Sequence, residues 1–395
     1  MSSLKTTGTI PSAVYLLALS LFAMGSAEFL MGGILPMIAE DLRISLPTAG
    51  TLISAFAVGA LIGGPPFAIL ALRWPSRSAL FLSQVAFIVA TVVSLLAQGY
   101  WSILLARFGM GVAYACFWSV AAATAVQLSP PDRRAKALSI VVSGLTVAMV
   151  FGGPAGTYIS ELTGWRGGFW AVIVVTVISA AAVLLALPKH TSSDAQTPDL
   201  ATELRAMKRP ALWVAYGTTM FTTAAYMGTF GYIAALLMDV SGLSSEWLPA
   251  VLILFGVGAL IGLTIGGRTA DRQPLGTLVV GIMGLIASSV VIALFAASWW
   301  VTVAMVFMLG LAGFLLNPAV WGRVYALAPD APMLAGATNA SAFQAGLTLA
   351  PLLAGIPISL GYNLASVAWV GVIIALISLG LALLDAKLSR RLVPA

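Results

Sequence analysis

The sequence predicts an all-α polytopic membrane protein of twelve transmembrane helices in two pseudo-symmetric six-helix bundles. Three observations carry this: an apolar composition, apolar runs of span length along the whole chain, and an internal repeat. Of 395 residues, 60% are apolar and 8% charged, against about 25% charged in an ordinary soluble domain. The mean hydropathy of +1.03 is sustained over the full length, which excludes a soluble enzyme with a single anchor. One cysteine, Cys116, and one histidine, His190, exclude a disulfide framework and a Cys/His metal cluster. No catalytic residues, metal or cofactor are expected.

About 20 apolar residues cross a bilayer as a helix. Runs of that kind fall at roughly 12–37, 48–70, 79–98, 102–127, 137–160, 168–187, 211–238, 247–265, 277–298, 300–322, 334–359 and 363–384. The first is too long, and too soon followed by another, to be a cleaved signal peptide. The longest polar stretch, 188–210, carries Lys189, Arg205, Lys208 and Arg209. It reads as a cytoplasmic linker between an N-terminal bundle, 1–187, and a C-terminal bundle, 211–395.

The net charge of +6 and pI near 9.6 invite a nucleic-acid reading, which the placement of the charges removes. With both termini inside, all but Arg43, Arg107 and Arg166 of the 19 cations fall on the inner side, as the positive-inside rule requires. The basic pI is topology. The expected setting is the cytoplasmic membrane, with the lipid bilayer as partner, no nucleic acid, and a monomeric chain.

Phe56-Ala-Val-Gly-Ala-Leu-Ile-Gly63 recurs as Phe255-Gly-Val-Gly-Ala-Leu-Ile-Gly262, with one difference in the octet. The register, residue 255 on residue 56, continues into the polar loop, where Ala71, Arg73 and Pro75 match Ala270, Arg272 and Pro274. Small-residue packing alone makes glycine-rich spans resemble one another, but it does not extend to a loop. Two duplicated bundles related along the membrane normal are a transporter plan, with the substrate site at mid-depth between them.

The loop after span 2, Ala68-Ile69-Leu70-Ala71-Leu72-Arg73-Trp74-Pro75-Ser76-Arg77, and that after span 8, Gly267-Arg268-Thr269-Ala270-Asp271-Arg272, resemble the signature loop of the major facilitator superfamily, and specifically of its twelve-span drug:proton antiporters. Leu105-Ala106-Arg107-Phe108-Gly109-Met110-Gly111 is similar to the family's Arg-x-x-x-Gly element in span 4. Gly152-Gly153-Pro154-Ala155-Gly156 is similar to the core of its antiporter element in span 5. The resemblance implies gating roles for Arg73, Arg77, Asp271 and Arg272, and a conformational role linked to antiport for Gly153 and Pro154. The acidic position is kept at Asp271 and lost at Leu72. Ala27-Glu28-Phe29, Leu46-Pro47-Thr48-Ala49-Gly50 and Gly164-Trp165-Arg166 resemble actinobacterial chloramphenicol exporters. Phe117-Trp118-Ser119 with Arg133-Arg134-Ala135-Lys136-Ala137-Leu138 is closer to bacterial sugar and arabinose effluxers.

Glu28 is the one acidic residue of 13 that falls deep within a predicted span. An ionised, unpaired carboxylate in hydrocarbon costs several kcal/mol, so it is expected to face the interior and to hold a proton readily, as a proton carrier must. The alternative is a structural Glu, permanently neutral or salt-bridged. Its repeat counterpart is Met227. Arg107, the one cation within a predicted span, lies at a depth within about one helical turn of Glu28. It either pairs with Glu28 in one state, coupling protonation to conformation, or ties helices by bonding carbonyls.

Gly111, Tyr114 and Trp118 follow Arg107 on one stripe of span 4, which suits a cavity for an aromatic or amphipathic molecule and equally suits core packing. Thr219, Thr222, Tyr226 and Phe230 form a similar stripe in span 7. In span 11, Asn339 and Gln344 either line the cavity or bond between helices. No nucleotide-binding Gly-x-x-x-x-Gly-Lys-Ser/Thr occurs, so the energy must come from an ion gradient or a separate subunit, and one intramembrane carboxylate makes a proton gradient the economical choice. The expected function is proton-coupled efflux of a small amphipathic compound such as chloramphenicol. The alternative is efflux of an arabinose-like sugar or another small polar metabolite.

Overall fold

The computed structural model describes residues 10–71, 75–130, 134–187, 205–270 and 272–392, and among them there is helix and turn but no strand. Eleven helices are long and apolar enough to cross a membrane, and a bent pair makes the twelfth. Span 1 is Ser12–Phe29 continued by Met31–Asp41; spans 2, 3 and 4 are Leu46–Ala71, Ser76–Leu96 and Tyr100–Leu128. Span 5 runs through Arg134–Val147, a π turn at Ala148–Gly152 and Gly153–Thr163, and span 6 is Trp165–Ala186. Span 7 is Pro210–Gly231 followed, after a 42° bend, by Ile233–Val240. Spans 8 and 9 are Leu248–Ala270 and Pro274–Phe295; span 10 is Trp299–Leu315 and Asn317–Leu327; spans 11 and 12 are Pro332–Ser359 and Ser366–Leu392.

The two halves repeat one packing scheme. In the first half span 1 packs on 5 and 6, span 4 on 2 and 3, and span 3 on 6. In the second, span 7 packs on 11 and 12, span 10 on 8 and 9, and span 9 on 12. The repeated octet explains why. Gly59 and Gly63 bring span 2 against Phe108 and Val112 of span 4, and Gly258 and Gly262 bring span 8 against Phe307 and Leu311 of span 10, in the same register. Gly111 meets the Phe56 carbonyl as Gly310 meets that of Phe255. A side chain at any of these glycines would run into backbone, so the octet repeats because close helix contact, the main source of cohesion in lipid, needs bare backbone there.

Four spans are interrupted helices, and at Gly153-Pro154 of span 5 the sequence already points to a lost helix hydrogen bond and a bend. Span 1 breaks at Leu30, with Gly32, Gly33 and the interior Pro36 just beyond, and span 7 breaks at Tyr232. In span 10, Asn317-Pro318 restarts the helix after Leu316. In span 5, Pro154 offers no N–H to the Val150 carbonyl, and the wide turn Ala148–Gly152 takes up the mismatch.

The halves meet through spans 2 and 11 and through spans 5 and 8, pairs that exchange under the repeat. Ser54 donates to the Thr348 carbonyl at 2.8 Å. The Tyr232 hydroxyl, which donates to the Pro351 carbonyl at 3.0 Å, sits against bare backbone at Gly50 and Gly355. Gly256 faces Val150, and Gly33 faces Leu252. All of these approaches lie at mid-depth or nearer the face opposite the linker. The linker itself is anchored to the second half, where Arg209 bonds the Leu327 carbonyl at 2.6 Å and Asp330 at 2.9 Å.

Helices also run past the apolar runs that predicted them. Asp385, expected at a span end, lies inside span 12, 8% exposed, and Arg323 of span 10 holds it through Nε at 2.7 Å and Nη2 at 2.9 Å. Glu28 and Arg107 are therefore not the only charged residues within helices. The hydropathy signal stops where a charge appears, whereas a bidentate ion pair lets the helix continue.

Candidate functional site

The break in span 1 follows directly on Glu28. The glycines of span 5 explain how that stretch is held: Gly152 lies against Ser26, Gly153 has its Cβ position 2.9 Å from Phe29 Cβ, and Gly156 has its own 2.9 Å from a Leu30 methyl. Gly153 and Pro154 thus form a smooth, buried face that lets span 5 ride on the segment carrying Glu28.

Arg107, 1% exposed, crosses from span 4 to two other helices. Its Nε donates to the Leu52 carbonyl of span 2 and its Nη1 to the Ala27 carbonyl of span 1, both at 3.2 Å. The guanidinium lies 4.8 Å from the Phe56 ring centre and 5.9 Å from that of Phe169, favourable placements for a cation. Nη2 is buried with no partner among the described residues. No ion pair joins Arg107 to Glu28 in this state, although the two are within electrostatic range. The tie to helix carbonyls, one of the two sequence readings of this arginine, is what the structure displays.

Glu28 makes no hydrogen bond among the described residues, and its side chain is part-accessible. Tyr114 of span 4 and Tyr226 of span 7 lie within its electrostatic range, so the carboxyl sits at the junction of the halves. Tyr114 packs on Phe56 at 5.5 Å and on Trp118 at 6.5 Å between ring centres, and Trp118 is part-accessible.

In the second half the predicted residues are more deeply placed than a cavity wall requires. Tyr226 is fully buried against Gly313 and Phe314, its hydroxyl without a hydrogen-bond partner among the described residues. Phe230 stacks on Phe255 at 4.1 Å and covers Gly32 of span 1. Asn339 is fully buried and accepts from Thr219 at 2.6 Å, while its Nδ2 has no partner among the described residues. Gln344 is part-accessible, with its Oε1 unpartnered. Among the candidates for substrate contact, only Trp118 and Gln344 are more than marginally accessible in this state.

Of the predicted gating residues, Arg77 is half-buried at the start of span 3, with Nε lacking a partner among the described residues, and Arg272 is exposed. Arg73 and Asp271, and with them Leu72, lie outside the described residues. Sequence reasoning missed Tyr232 with its glycines at 50 and 355, and the Ser54–Thr348 bond. Nothing along the chain relates residues so far apart.

On the linker-distal end of the first half, Asp41 accepts from Trp165 Nε1 at 2.9 Å and from Arg166 Nη1 at 2.8 Å, and Arg166 also bonds the Leu95 carbonyl at 3.2 Å. The indole bond first, and the guanidinium second, hold the Asp41 carboxyl below the usual carboxylate range. This clasp fastens the ends of spans 1, 3 and 6 together.

Twelve spans in two repeated bundles, closed on each other at one end around a part-accessible carboxyl and a buried arginine, define a membrane transporter. The chain belongs to the Major Facilitator Superfamily, whose pattern matches residues 17–351. It is 37% identical over 347 residues to a chloramphenicol resistance protein of Streptomyces lividans, covering 87% of this chain and 88% of that protein. It is 32% identical to the inner membrane transport protein YdhP of Escherichia coli K12, with 96% of each covered, and 31% identical to the uncharacterized MFS-type transporter YtbD of Bacillus subtilis, with 91% of each covered. The fold superposes with a TM-score of 0.82 on a bacterial homologue of the human lysosomal transporter Spinster in an inward-facing, unoccupied conformation. That match covers 96% of this chain and 98% of the other at 19% identity. The occupied form of the same homologue gives a TM-score of 0.76 at 17% identity. The family is one of transporters, not enzymes.

Proposed function

We propose that this protein is a proton-coupled exporter of a small amphipathic compound, of which chloramphenicol is the leading candidate, in the cytoplasmic membrane. Both termini and the linker lie inside, and residues 1–187 and 211–395 rock against each other as a monomeric unit. In that orientation the closed face is the outer one. Carrying the reading is the unpartnered, buried Nη2 of Arg107 in range of an unbonded Glu28. A guanidinium N–H left unsatisfied in the membrane interior is costly, and the carboxylate of Glu28 is the acceptor that relieves it. Proton uptake by Glu28 releases Arg107; proton loss restores the attraction. The Ala27 carbonyl that Arg107 already holds belongs to the residue next to Glu28, so the exchange tugs on the break in span 1. Substrate contact falls to Tyr114, Trp118, Tyr226, Phe230, Asn339 and Gln344. Gating falls to Arg73, Arg77, Asp271 and Arg272, and helix movement to Gly153 and Pro154.

The test is efflux from inverted vesicles or proteoliposomes under an imposed pH gradient, with chloramphenicol and arabinose assayed side by side. Glu28→Gln is expected to abolish gradient-driven transport while keeping substrate binding or exchange. Full gradient-driven transport by that variant removes Glu28 from the coupling. Transport of arabinose alone moves the substrate to a sugar, which stacks on the same rings.

A further inference from the structure

Arg107 and Glu28 both belong to the first half, in spans 4 and 1, so the attraction between them acts inside one bundle. Moving one bundle against the other needs a group of the second half that responds to the same proton. The axis relating the two bundles runs along the membrane normal and so preserves depth. In the register that sets residue 255 on residue 56, Met227 stands for Glu28, Val306 for Arg107 and Tyr226 for Ala27. The second half repeats neither charge, yet it carries a phenol at the depth of the residue beside Glu28. One turn farther out the same two helices touch, where Phe230 Cε1 comes within 3.0 Å of the Cβ position of Gly32. Tyr226 precedes Phe230 by four residues as Glu28 precedes Gly32, so each lies one turn back from that contact.

Span 10 makes room for the phenol. Gly313, the counterpart of Tyr114, leaves the space that the Tyr226 ring fills, since a Cβ on it would come 2.9–3.2 Å from three ring atoms. The ring of this layer therefore comes from span 4 in the first half and from span 7 in the second. Tyr226 is fully buried and its hydroxyl has no hydrogen-bond partner among the described residues, with Thr223 and Asn317 as polar neighbours and Glu28 within electrostatic range. A buried hydroxyl left unpaired is costly, and the unbonded Glu28 carboxyl across the junction is an acceptor for it. The other ionisable groups in range of Glu28 are Arg107 and Tyr114 of span 4. Among the described residues, spans 2, 5, 6 and 8, which also pack on span 1, carry ionisable side chains only toward their ends.

We propose that Tyr226 is a positioning residue of the coupling, whose hydroxyl donates to the deprotonated Glu28 carboxylate and so ties span 7 to span 1. The proposal rests on the exporter reading and adds the group that carries the signal from one half to the other. A hydrogen bond to an ionised acceptor is roughly twice as strong as a neutral one, so proton loss tightens the tie and holds the outer face closed. Proton uptake loosens it. A substrate oxygen that accepts from Tyr226 loosens it as well. The empty, deprotonated carrier is held in place, while either the proton or the substrate releases it, which is what exchange of the two requires.

The experiment uses the full-length protein in proteoliposomes without substrate, carrying Ile53→Cys in a Cys116→Ser background and labelled from outside by an impermeant maleimide. Each rate is divided by that of the denatured protein at the same pH, which removes the titration of the thiol itself. Labelling is expected to be roughly tenfold slower at alkaline than at acid pH, the worth of one hydrogen bond to a charged group. Tyr226→Phe keeps the ring in its slot, and Glu28→Gln keeps the side-chain size. Each should bring the alkaline rate up to the acid one, and the double variant should add nothing. A purely structural phenol would instead move both rates together. A fluorotyrosine installed at 226 is a stronger donor and should move the midpoint of the pH dependence to lower pH, which decides the matter even where Tyr226→Phe lowers the unfolding temperature. The tie is overturned by a reporter rate independent of pH, by a pH dependence that survives in a stably folded Tyr226→Phe, by additive effects of the two variants, or by an unmoved midpoint with fluorotyrosine. Absence of gradient-driven efflux with the expected labelling pattern intact sinks the exporter reading and leaves the tie standing.

Discussion

Ser54 of span 2 donates its hydroxyl to the carbonyl of Thr348 in span 11 at 2.8 Å, joining the two halves directly. One turn nearer the closed face, the Tyr232 hydroxyl rests on Gly50. Opening this face must break both contacts. Ser54→Ala removes one neutral hydrogen bond, about 1 kcal/mol, and should raise the open population roughly fivefold. Gly50→Ala places a methyl group on the Tyr232 hydroxyl and should shift it further. Ile53, which faces Gly231 across the seam, is the reporter. As Ile53→Cys in a Cys116→Ser background, it should react faster with an impermeant maleimide in both variants. Unchanged reactivity would show that the seam is closed by something else.

Arg107 joins spans 4, 2 and 1 through two carbonyls, a fork that lysine cannot reproduce. Arg107→Lys should lose about 1.5–3 kcal/mol, the worth of one hydrogen bond from a charged donor, read as a lower unfolding temperature in detergent. Glu28→Gln, which breaks no hydrogen bond among the described residues, should unfold as the wild type does. This contrast separates the structural part of Arg107 from its part in coupling.

The Arg323–Asp385 pair is held bidentately, with side chains 28% and 11% exposed. Asp385→Asn leaves the arginine short of its counter-charge. A fully buried pair broken on one side loses about 3–5 kcal/mol, and partial exposure brings the expected loss down to about 1–3 kcal/mol. Exchanging the two residues should recover part of it in a double-mutant comparison of unfolding temperatures.

Because its partners favour the charged form, Asp41 titrates lower in the folded chain than in the unfolded one. Its contribution to stability is therefore complete above the ordinary carboxylate pKa of about 3.9 and is lost as pH falls through the lower folded value. The unfolding temperature should stay level from neutral pH to about 5 and then decline. In Asp41→Asn the decline should be shallower. An identical acid profile would show that the clasp to Trp165 and Arg166 is too solvent-screened to matter.

The span count and the two halves are legible along the chain, because bilayer thickness dictates run length and the octet at 56–63 recurs at 255–262; that span 2 packs on 4 and span 8 on 10 through those glycines came only from the structure. Glu28 and Arg107 also stand out, since a charge in an apolar run is rare. The rest of the site was hidden for a physical reason: a stripe of rings on a helix looks the same whether it faces a cavity or a neighbouring helix. Tyr226 and Phe230 face neighbours in this state, whereas Trp118 is partly open.

What the sequence determined by itself is what local chemistry controls: membrane class, number of spans, duplication, and the place of Glu28 within an apolar run of the first half. Tertiary structure alone decided that Arg107 spends two of its three nitrogens on carbonyls rather than on Glu28, that Asp385 lies inside a helix under Arg323, and that Tyr232 seats on Gly50 and Gly355. Each depends on how helices from distant parts of the chain rotate and approach. That is settled by side-chain volume and hydrogen-bond geometry summed over many contacts, and no single stretch of sequence carries it.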